Sequence, residues 1–402
     1  MGGGQESSGA SYLQLYLRAL GADSQQMGYL NSFAAIARGL VGLPLGWISD
    51  RISLKKVVVF GYMLSIVAPA AFALSLTWTH AIVAMMLNQI TNTIVGMFVA
   101  QFFVTSVRSA KDRGTAMSMR STLIGVTGLA VPTISAIVVL NFGGISVEGI
   151  RPLFIIEVVI ATVIAIYAAL KLKEAAFLKK KDTAKRGVLR DYKEIARIPS
   201  VQKWTIFKGL RQFFASSLIP FYSIYHVEVK GANEMIIALM ATVTTLTALI
   251  LLVPFGRLAD KHGRKRIIFL TRPFYYISIL LVIWAPSPEY LVIASFFGAL
   301  QAVSNLMEIT MEWELVPENQ RGRLGGFNSF LWGLTGIPGP ILAGYLWERV
   351  NPSFLLLIPL LVDIPFMIML MTIPDTLNIT YGTISPDERV AQTSDKDEKP
   401  PS

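Results

Sequence analysis

Eleven apolar runs, each about as long as a membrane-crossing helix, constrain this chain more than any other feature of its sequence. Charged residues or clusters of proline and glycine separate them, and they cover residues 27–48, 57–77, 81–107, 115–139, 153–170, 204–227, 235–255, 267–285, 291–316, 324–346 and 354–372. A helix needs about 20 apolar residues to cross the roughly 30 Å hydrocarbon core. The chain is also only 15% charged, whereas soluble domains carry about a quarter charged residues. The pattern predicts an all-α integral membrane protein.

Two basic segments lie 210 residues apart and share their pattern. The first is GWISDRISLKK (46–56) and the second is GRLADKHGRKR (256–266). The same offset relates further identical residues, namely Ser7 and Ser217, Tyr12 and Tyr222, Gly21 and Gly231, and Ala22 and Ala232. A series of identities that keeps one register indicates an internal duplication.

A second series of identities, at an offset of 208, strengthens the duplication. It pairs Arg113, Gly114, Ser121, Gly125, Thr127, Gly128 and Pro132 with Arg321, Gly322, Ser329, Gly333, Thr335, Gly336 and Pro340. The repeat predicts two pseudo-symmetric six-helix bundles, at residues 1–172 and 203–374. A basic linker (173–202) would join them, and a disordered tail (375–402) would follow. The register also predicts a first helix that is shortened by about two turns, because only residues 12–20 are suitable before Gly21.

The distribution of cations predicts the orientation of the chain in the membrane. Cationic segments at 51–56, 108–113, 257–266 and 321–323 fall on one face together with the linker, while the opposite loops offer mainly Arg151, Lys230 and Arg349. By the positive-inside rule, both termini are expected in the cytoplasm, with the protein in the plasma membrane. The net charge of +10 then reflects orientation and not nucleic-acid binding. The linker is expected to be solvated, with contact to anionic lipid headgroups as the alternative.

Several kinds of chemistry are excluded by residue counts. The chain has no cysteine, and its histidines at 80, 226 and 262 are far apart in the sequence. Disulfides and thiol catalysis are therefore impossible, and a histidine-based metal cluster or hydrolase is not expected. We expect no cofactor and no enzymatic activity.

The two basic segments resemble motif A of the major facilitator superfamily, G-x-L-A-D-R-x-G-R-K-K. The second copy is close, whereas the first has Ser53 in place of a glycine and Leu54 in place of an arginine. Residues 314–322, ELVPENQRG, also resemble the family's E-x-x-P-x-x-x-R-G pattern, and the first half has Ser106 where that glutamate would stand. The resemblance implies the superfamily's fold of twelve transmembrane helices in two bundles.

The resemblance also implies a gate on the cytoplasmic side. Its residues would be Gly46, Asp50, Arg51, Gly256, Asp260, Arg264, Glu314 and Arg321. Glycines let helices approach closely in a membrane, and an aspartate is favoured at a neighbouring helix N-terminus. We expect this cluster to hold the cytoplasmic side shut in the outward-open state. The alternative is that its cations serve only as orientation anchors.

Polar residues inside the apolar runs are candidates for the transport site, since a charge at bilayer depth costs at least about 2.5–3.5 kcal/mol. For solute binding or proton coupling they are Arg38, Asn88, Gln89, Asn92, Arg120, Glu157, Arg211, Asn305, Glu308 and Glu312. The spacing of Gln301, Asn305, Glu308 and Glu312 predicts one polar stripe on the tenth span, whereas Asp363 is expected to support a peripheral helix. The arginines could hold an anionic solute, the glutamates could hold a cation or a proton, and the two sets could also neutralise each other.

These observations predict a secondary active transporter that moves a small organic solute by alternating access. We expect the energy source to be a proton gradient, and the activity to be drug or metabolite efflux or solute uptake. The expected partners are the solute and the bilayer, without nucleic acid, and the protein is expected to be a monomer. The alternative is a transporter-like receptor or sensor that binds a solute without moving it. Solute flux in proteoliposomes separates the two.

Overall fold

The computed structural model describes residues 12–48, 54–106, 113–172, 199–314, 324, 328 and 331–373, and these residues are almost entirely helical. The helices of the first half are α1 (Leu13–Ala19), α2 (Ser24–Ile48), α3 (Leu54–Ala73), α4 (Trp78–Ser106), α5 (Arg113–Asn141) and α6 (Val147–Lys171). Those of the second half are α7 (Pro199–Ile224), which continues as a π turn (Tyr225–Val229), α8 (Glu234–His262), α9 (Arg264–Trp284), α10 (Tyr290–Gly298), α11 (Leu300–Glu314), α12 (Pro338–Arg349) and α13 (Pro352–Thr372). Residues 331–335 are helical as well.

Among the described residues, seven helical segments are long and apolar enough to cross a membrane; one of them joins α10 and α11 across Ala299. Helices α2, α4 and α7 are similarly long, at 25, 29 and 26 residues, but they are not among the seven. They carry many of the polar residues that line the central cavity described below. The prediction of an all-helical membrane fold is confirmed, while the count of twelve crossings stays a prediction.

The connections that follow α1 and α7 have the same local structure, 210 residues apart. Gly21 and Gly231 both have positive φ angles, of +89° and +71°, a region that favours glycine. The next helices then begin with equivalent caps. The Asp23 carboxylate accepts a hydrogen bond from the Gln26 N–H at 2.7 Å, and the Asn233 side chain accepts one from the Ile236 N–H at 2.9 Å. The sequence repeat is therefore also a structural repeat.

Helix α1 has seven residues, Leu13–Ala19. At the offset of 210 they correspond to 223–229, the end of α7 and its π turn. Residues 1–11 lie outside the described part of the chain, so the predicted shortening of the first helix stays a prediction.

One predicted boundary is wrong. The apolar run 235–255 and the basic segment after it predict that the helix ends near Phe255 and a loop follows, but α8 continues to His262 and α9 begins at Arg264. Only Gly263 separates the two helices, with a φ of +97°. The length of an apolar run reflects the thickness of the bilayer and not the length of the helix. Here the helix extends about two turns beyond the end of the apolar run.

The two halves meet at one end of the molecule. We call this end the short-loop face; its connections are residues 20–23, 74–77, 142–146, 230–233, 285–289 and 350–351. A single buried core there contains residues of both halves, including Tyr16, Phe154, Phe221 and Trp347. At the opposite end, which we call the linker face because α6 ends and α7 begins there, the described residues form two separate cores. One lies around Trp204 and Ile268 and the other around Val58 and Phe98, so the described residues of the two halves pack together mainly on the short-loop face.

Candidate functional site

A cavity of about 370 Å³ lies between the two halves. Its wall comes from α1, α2, α3, α4 and α6 of the first half, and from α7, residues 332–336 and α12 of the second. The polar residues that line it are Gln14, Asn31, Arg38, Asn88, Gln89, Asn92 and Glu157 from the first half, and Gln212, Ser216 and Ser223 from the second. Five residues predicted from the sequence for solute binding or proton coupling are therefore brought together: Arg38, Asn88, Gln89, Asn92 and Glu157.

The polar groups of this cavity form short local contacts. With the Gln89 amide on α4 oriented so that its oxygen faces Arg38, the orientation that satisfies both side chains, Arg38 donates to this oxygen through Nε and Nη2. The Asn92 amide donates to Asn88 Oδ1 at 3.2 Å, because residues four apart lie on one helix face. On the short-loop side of Arg38, Gln14 and Asn31 exchange hydrogen bonds of 3.2 and 3.3 Å.

Other predicted site residues belong to a separate cluster within the second half, between α7, α9, α11 and α13. Arg211 Nη1 donates to both carboxylate oxygens of Glu308, at 2.8 and 2.7 Å. Arg272 lies 3.2 Å from the same carboxylate. It also binds Asp363 through Nε at 2.5 Å and Nη2 at 2.7 Å. Arg211 Nε also lies 3.4 Å from the Asp363 carboxylate. Arg211 therefore contacts both Glu308 and Asp363. We call Arg211, Arg272, Glu308 and Asp363 the four-charge cluster.

The rest of the predicted stripe on α11 extends this cluster. Glu312 binds Lys208 and Asn328. Gln301 Oε1 accepts from Arg272 Nη1 at 3.1 Å, and Gln301 donates to Asn305 at 3.1 Å. Glu308 and Glu312 are each 3% exposed, whereas Asn305 is exposed. With Lys208 and Glu312, the extended set contains three cations and three carboxylates, so its charges cancel.

Arg272 is the functional candidate that the sequence analysis missed. It is 1% exposed and contacts both acids of the cluster. A usable signal was present, since Arg272 lies inside the apolar run 267–285, and a charge at bilayer depth was the criterion that identified Arg38. Asp363, expected to support a peripheral helix, links α13 to α9 through Arg272 and Tyr276, whose hydroxyl donates to it at 2.7 Å.

Only part of the predicted gate can be located. Asp50, Arg51 and Arg321 lie outside the described residues. Gly46 lies in α2 and Glu314 lies in α11. Arg120, a candidate for the transport site, lies in α5. The side chains of Glu314 and Arg120 are also outside the described part of the chain. In the second copy, Asp260 is 72% exposed and is 3.7 Å from Arg264, one turn away on the next helix.

The close helix approach expected at Gly256 is not present in this state. A Cβ atom added there would meet no atom of the described chain within 4 Å. This part of α8 packs within its own half instead, where Phe255 and Ala259 belong to the core around Trp204 and Ile268.

The short-loop face is closed by contacts between the halves. Arg18 binds the Glu228 carboxylate through Nε at 2.7 Å and Nη2 at 3.3 Å. These two residues are 210 positions apart and hence equivalent in the repeat. The backbone carbonyl of Glu234 accepts from the Tyr12 hydroxyl at 3.2 Å, while its carboxylate accepts from the Ile145 N–H at 3.0 Å. This arrangement separates the cavity from the short-loop face.

Deeper in the protein, α2 packs against α12 and the segment before it, while α5 packs against α8. Ser32 Oγ donates to the Ile337 carbonyl at 2.5 Å. A Cβ atom at Gly28 would lie 2.5 Å from the Pro340 carbonyl oxygen, so the helices are in backbone contact there, as small residues permit in membranes.

Comparison with known proteins agrees with this architecture. The sequence model of the Major Facilitator Superfamily matches residues 2–233 and 208–379. Multidrug resistance protein 2 of Bacillus subtilis (strain 168) is 24% identical over 342 residues, which are 83% of this chain and 82% of that protein. An uncharacterized MFS-type transporter of Methanocaldococcus jannaschii is 22% identical over 354 residues, 85% of this chain and 84% of that protein.

Solved structures give the same fold at lower sequence identity. A mutant of the nucleoside transporter NupG superposes with a TM-score of 0.72 at 14% identity, covering 91% of this chain and 95% of its own. A D-xylose-proton symporter superposes with a TM-score of 0.68, also at 14% identity, covering 93% of this chain and 95% of its own. At this identity the likeness shows the fold and not the solute.

Proposed function

This chain belongs to the major facilitator superfamily, and we propose that it carries a small organic solute through the cavity between its halves by alternating access, driven by a proton gradient. Membership makes the chain a multi-pass membrane protein and a secondary transporter, not an enzyme. The solute, the coupling ion and the direction of transport belong to the proposal.

One observation carries the proposal: the polar cavity lies at the interface of two repeated halves, and among the described residues these halves pack together mainly on the short-loop face. A midplane site at the repeat interface is where rocking of the halves exposes a solute to each side in turn. In the state described here, the contacts from Arg18 to Glu228 and from Glu234 to Ile145 close the short-loop face. Access would therefore be from the linker face.

We place the coupling proton on Glu157. This carboxyl group lines the same cavity as Arg38, so its charge acts directly on a bound solute. Glu308, the other candidate, contacts two arginines. Protonating Glu308 would leave those two arginine charges with Asp363 as their remaining acid, which is costly in a low-dielectric environment.

In the opposite state, the two motif A segments would close the linker face. The exposure of Asp260 and its contact with Arg264 within the same motif suit the open form of such a gate. By the positive-inside rule, the linker face is the cytoplasmic face. The proposed protein is then a monomer in the plasma membrane with both termini in the cytoplasm.

The absence of cysteine allows a direct test. Ser216→Cys would place the only thiol in the cavity, and a membrane-impermeant thiol reagent would be applied to each face of reconstituted vesicles. Alternating access predicts labelling from both faces. Thr77→Cys, an exposed position on the short-loop face, is the control and should react from one face only.

Flux measurements complete the test and separate a transporter from a sensor. Radiolabelled uridine, D-xylose, benzoate and tetraphenylphosphonium represent a nucleoside, a sugar, an organic anion and a lipophilic cation. Proton-driven transport predicts that at least one accumulates in proteoliposomes and that a protonophore abolishes the accumulation. Binding of a probe without flux, together with labelling of Ser216→Cys from a single face, would contradict the proposal.

A further inference from the structure

The wall of the cavity is chemically divided. The first half provides both of its charges, Arg38 and Glu157, and most of its amides. The second half provides three uncharged polar side chains, Gln212, Ser216 and Ser223, and an apolar surface that includes Ile219, Pro220 and Trp332. A solute that complements both surfaces has a charged or strongly polar end and a compact apolar body.

Arg38 differs in its partner from three cations of the second half. Lys208, Arg211 and Arg272 each contact at least one carboxylate within 4.0 Å. Arg38 instead binds a neutral amide, Gln89, and no carboxylate of the described residues forms an ion pair with it. A guanidinium at bilayer depth without an acidic partner is costly, so an anion in the cavity would be stabilised.

The charge of Arg38 is also permanent. A guanidinium keeps its proton throughout the physiological pH range, and its planar array of N–H donors matches a carboxylate. Glu157, in contrast, can take up a proton and lose its charge. When it does so, Arg38 is the remaining charge among the residues that line the cavity.

We propose that the solute is a small organic monoanion whose carboxylate binds Arg38 while its flat apolar body packs against Ile219, Pro220 and Trp332. This inference rests on the proposed function, because it takes the cavity as the solute site, and it names the class of solute. The volume of about 370 Å³ is near the lower end for small-molecule sites and suits an acid with one or two rings.

Other classes fit less well. A lipophilic cation would bring a second positive charge next to Arg38, and such a like-charge contact is repulsive. A neutral sugar or nucleoside could bind the amides of Asn88 and Asn92, but with Glu157 protonated it would leave Arg38 without a counter-charge in the cavity.

Charge-selective labelling tests the inference without knowledge of the natural solute. Ser216→Cys would be treated with two methanethiosulfonate reagents of similar size, the anionic 2-sulfonatoethyl and the cationic 2-(trimethylammonium)ethyl compounds. The ratio of their rates cancels the reactivity of the thiol itself and reports the local potential. We expect the anionic reagent to be favoured about tenfold over the ratio at the exposed control Thr77→Cys.

The dependence on Arg38 is the decisive comparison. Arg38→Gln should remove the preference for the anionic reagent, and Arg38→Lys should retain most of it. Arg349→Gln, which removes an exposed cation at the end of α12, should leave it unchanged. A ratio equal to that of Thr77→Cys, or one that favours the cationic reagent, would overturn the anionic class.

Protection by ligands tests the shape of the solute. Benzoate and indole-3-acetate should slow the labelling of Ser216→Cys and raise the melting temperature of the purified protein. Benzamide and indole-3-acetamide, which have similar shapes without the charge, should not. Equal protection by acids and amides would also overturn the proposal.

These outcomes separate the inference from the function on which it rests. If Ser216→Cys reacts from both faces but shows no anion preference, alternating access stands and the solute class fails. If Ser216→Cys is not labelled from both faces, the proposed function fails first.

Discussion

Arg272 and Asp363 join α9 to α13 through two parallel hydrogen bonds, of 2.5 and 2.7 Å, and each residue is only 1% exposed. Bidentate pairs of this kind are geometrically specific. Because burying two charges is expensive, such a pair contributes more to a unique arrangement of helices than to net stability. In this protein it fixes one side of the four-charge cluster.

The first prediction concerns this pair. Asp363→Asn should destabilise the protein by about 3 kcal/mol, since breaking a buried pair leaves an uncompensated charge. The loss should be near the lower end of the usual range because Arg272 retains Glu308, 3.2 Å away. Thermal unfolding of the detergent-purified protein measures the effect.

The control for this prediction removes both charges. The double variant Arg272→Met with Asp363→Leu should be more stable than Asp363→Asn alone, because apolar replacement of a whole buried pair is often neutral. A double variant that is less stable than the single one would show that the cluster acts as one indivisible unit.

The four-charge cluster also shows what the sequence could and could not predict. Polar residues in apolar spans were expected in the interior, and Arg38, Gln89 and Glu157 do line one cavity. The sequence did not predict which of the other candidates would line this cavity and which would pair with one another. Whether Arg211 contacts a solute or Glu308 depends on the distance between α7 and α11. These two helices are far apart in the sequence. A single sequence provides the charges but not their pairing.

The register of the repeat was predictable from the sequence. It was inferred from small residues such as Gly21 and Gly231, and the structure shows why these matter, since both have a positive φ. The end of α8 was missed for a physical reason. Hydropathy locates the bilayer, whereas a helix ends where its backbone changes direction, in this case at Gly263.

The second prediction uses a contact between glycines, where α2 packs against the segment before α12. A Cβ atom at Gly333 would lie 2.7 Å from the Cα atom of Gly39, which is backbone and cannot move aside. A Cβ atom at Gly39 would be 3.6 Å from its nearest neighbour, an ordinary contact. Gly333→Ala should therefore cost about 1–3 kcal/mol through overpacking, while Gly39→Ala should be tolerated.

The duplication supplies a further control for this prediction. Gly125 and Leu249 are the repeat equivalents of Gly333 and Gly39, and a Cβ atom at Gly125 would meet the end of the Leu249 side chain. This side chain can turn away, so Gly125→Ala should destabilise less than Gly333→Ala. Melting temperatures of the three variants test the order, and equal losses at Gly39 and Gly333 would contradict it.

The third prediction concerns the ion pair between Arg18 and Glu228 on the short-loop face. Their side chains are 31% and 38% exposed, so solvent screening limits the pair to about 0.2–1 kcal/mol. This is too little to change the fold but enough to shift an equilibrium between two states by up to about fivefold. Glu228→Arg should increase labelling of Ser216→Cys from the short-loop face.

A charge swap checks that the effect is electrostatic. Arg18→Glu combined with Glu228→Arg restores an opposite-charge pair and should return the labelling toward the original rate. If the swap labels as fast as Glu228→Arg alone, the ion pair does not help to close this face.

The fourth prediction concerns Asp260. Because its side chain is 72% exposed in this state, Asp260→Asn should leave the melting temperature almost unchanged. If the motif closes the linker face in the other state, the same variant should lower flux and increase reactivity of Ser216→Cys from the linker face. Unchanged flux and unchanged labelling would remove the gating role and leave motif A as a set of orientation anchors.

The fifth prediction separates the roles of Glu157 and Glu308. Glu157→Gln should abolish proton-driven accumulation but retain exchange of solute across the membrane at equal pH, because exchange does not require the proton to leave. Glu308→Gln should instead destabilise the protein, because Arg211 and Arg272 both lose a carboxylate partner. Accumulation, exchange and melting temperature measured on both variants distinguish a coupling site from a structural one.

If Glu308→Gln is fully stable and uncoupled while Glu157→Gln still accumulates solute, the coupling proton belongs to the four-charge cluster.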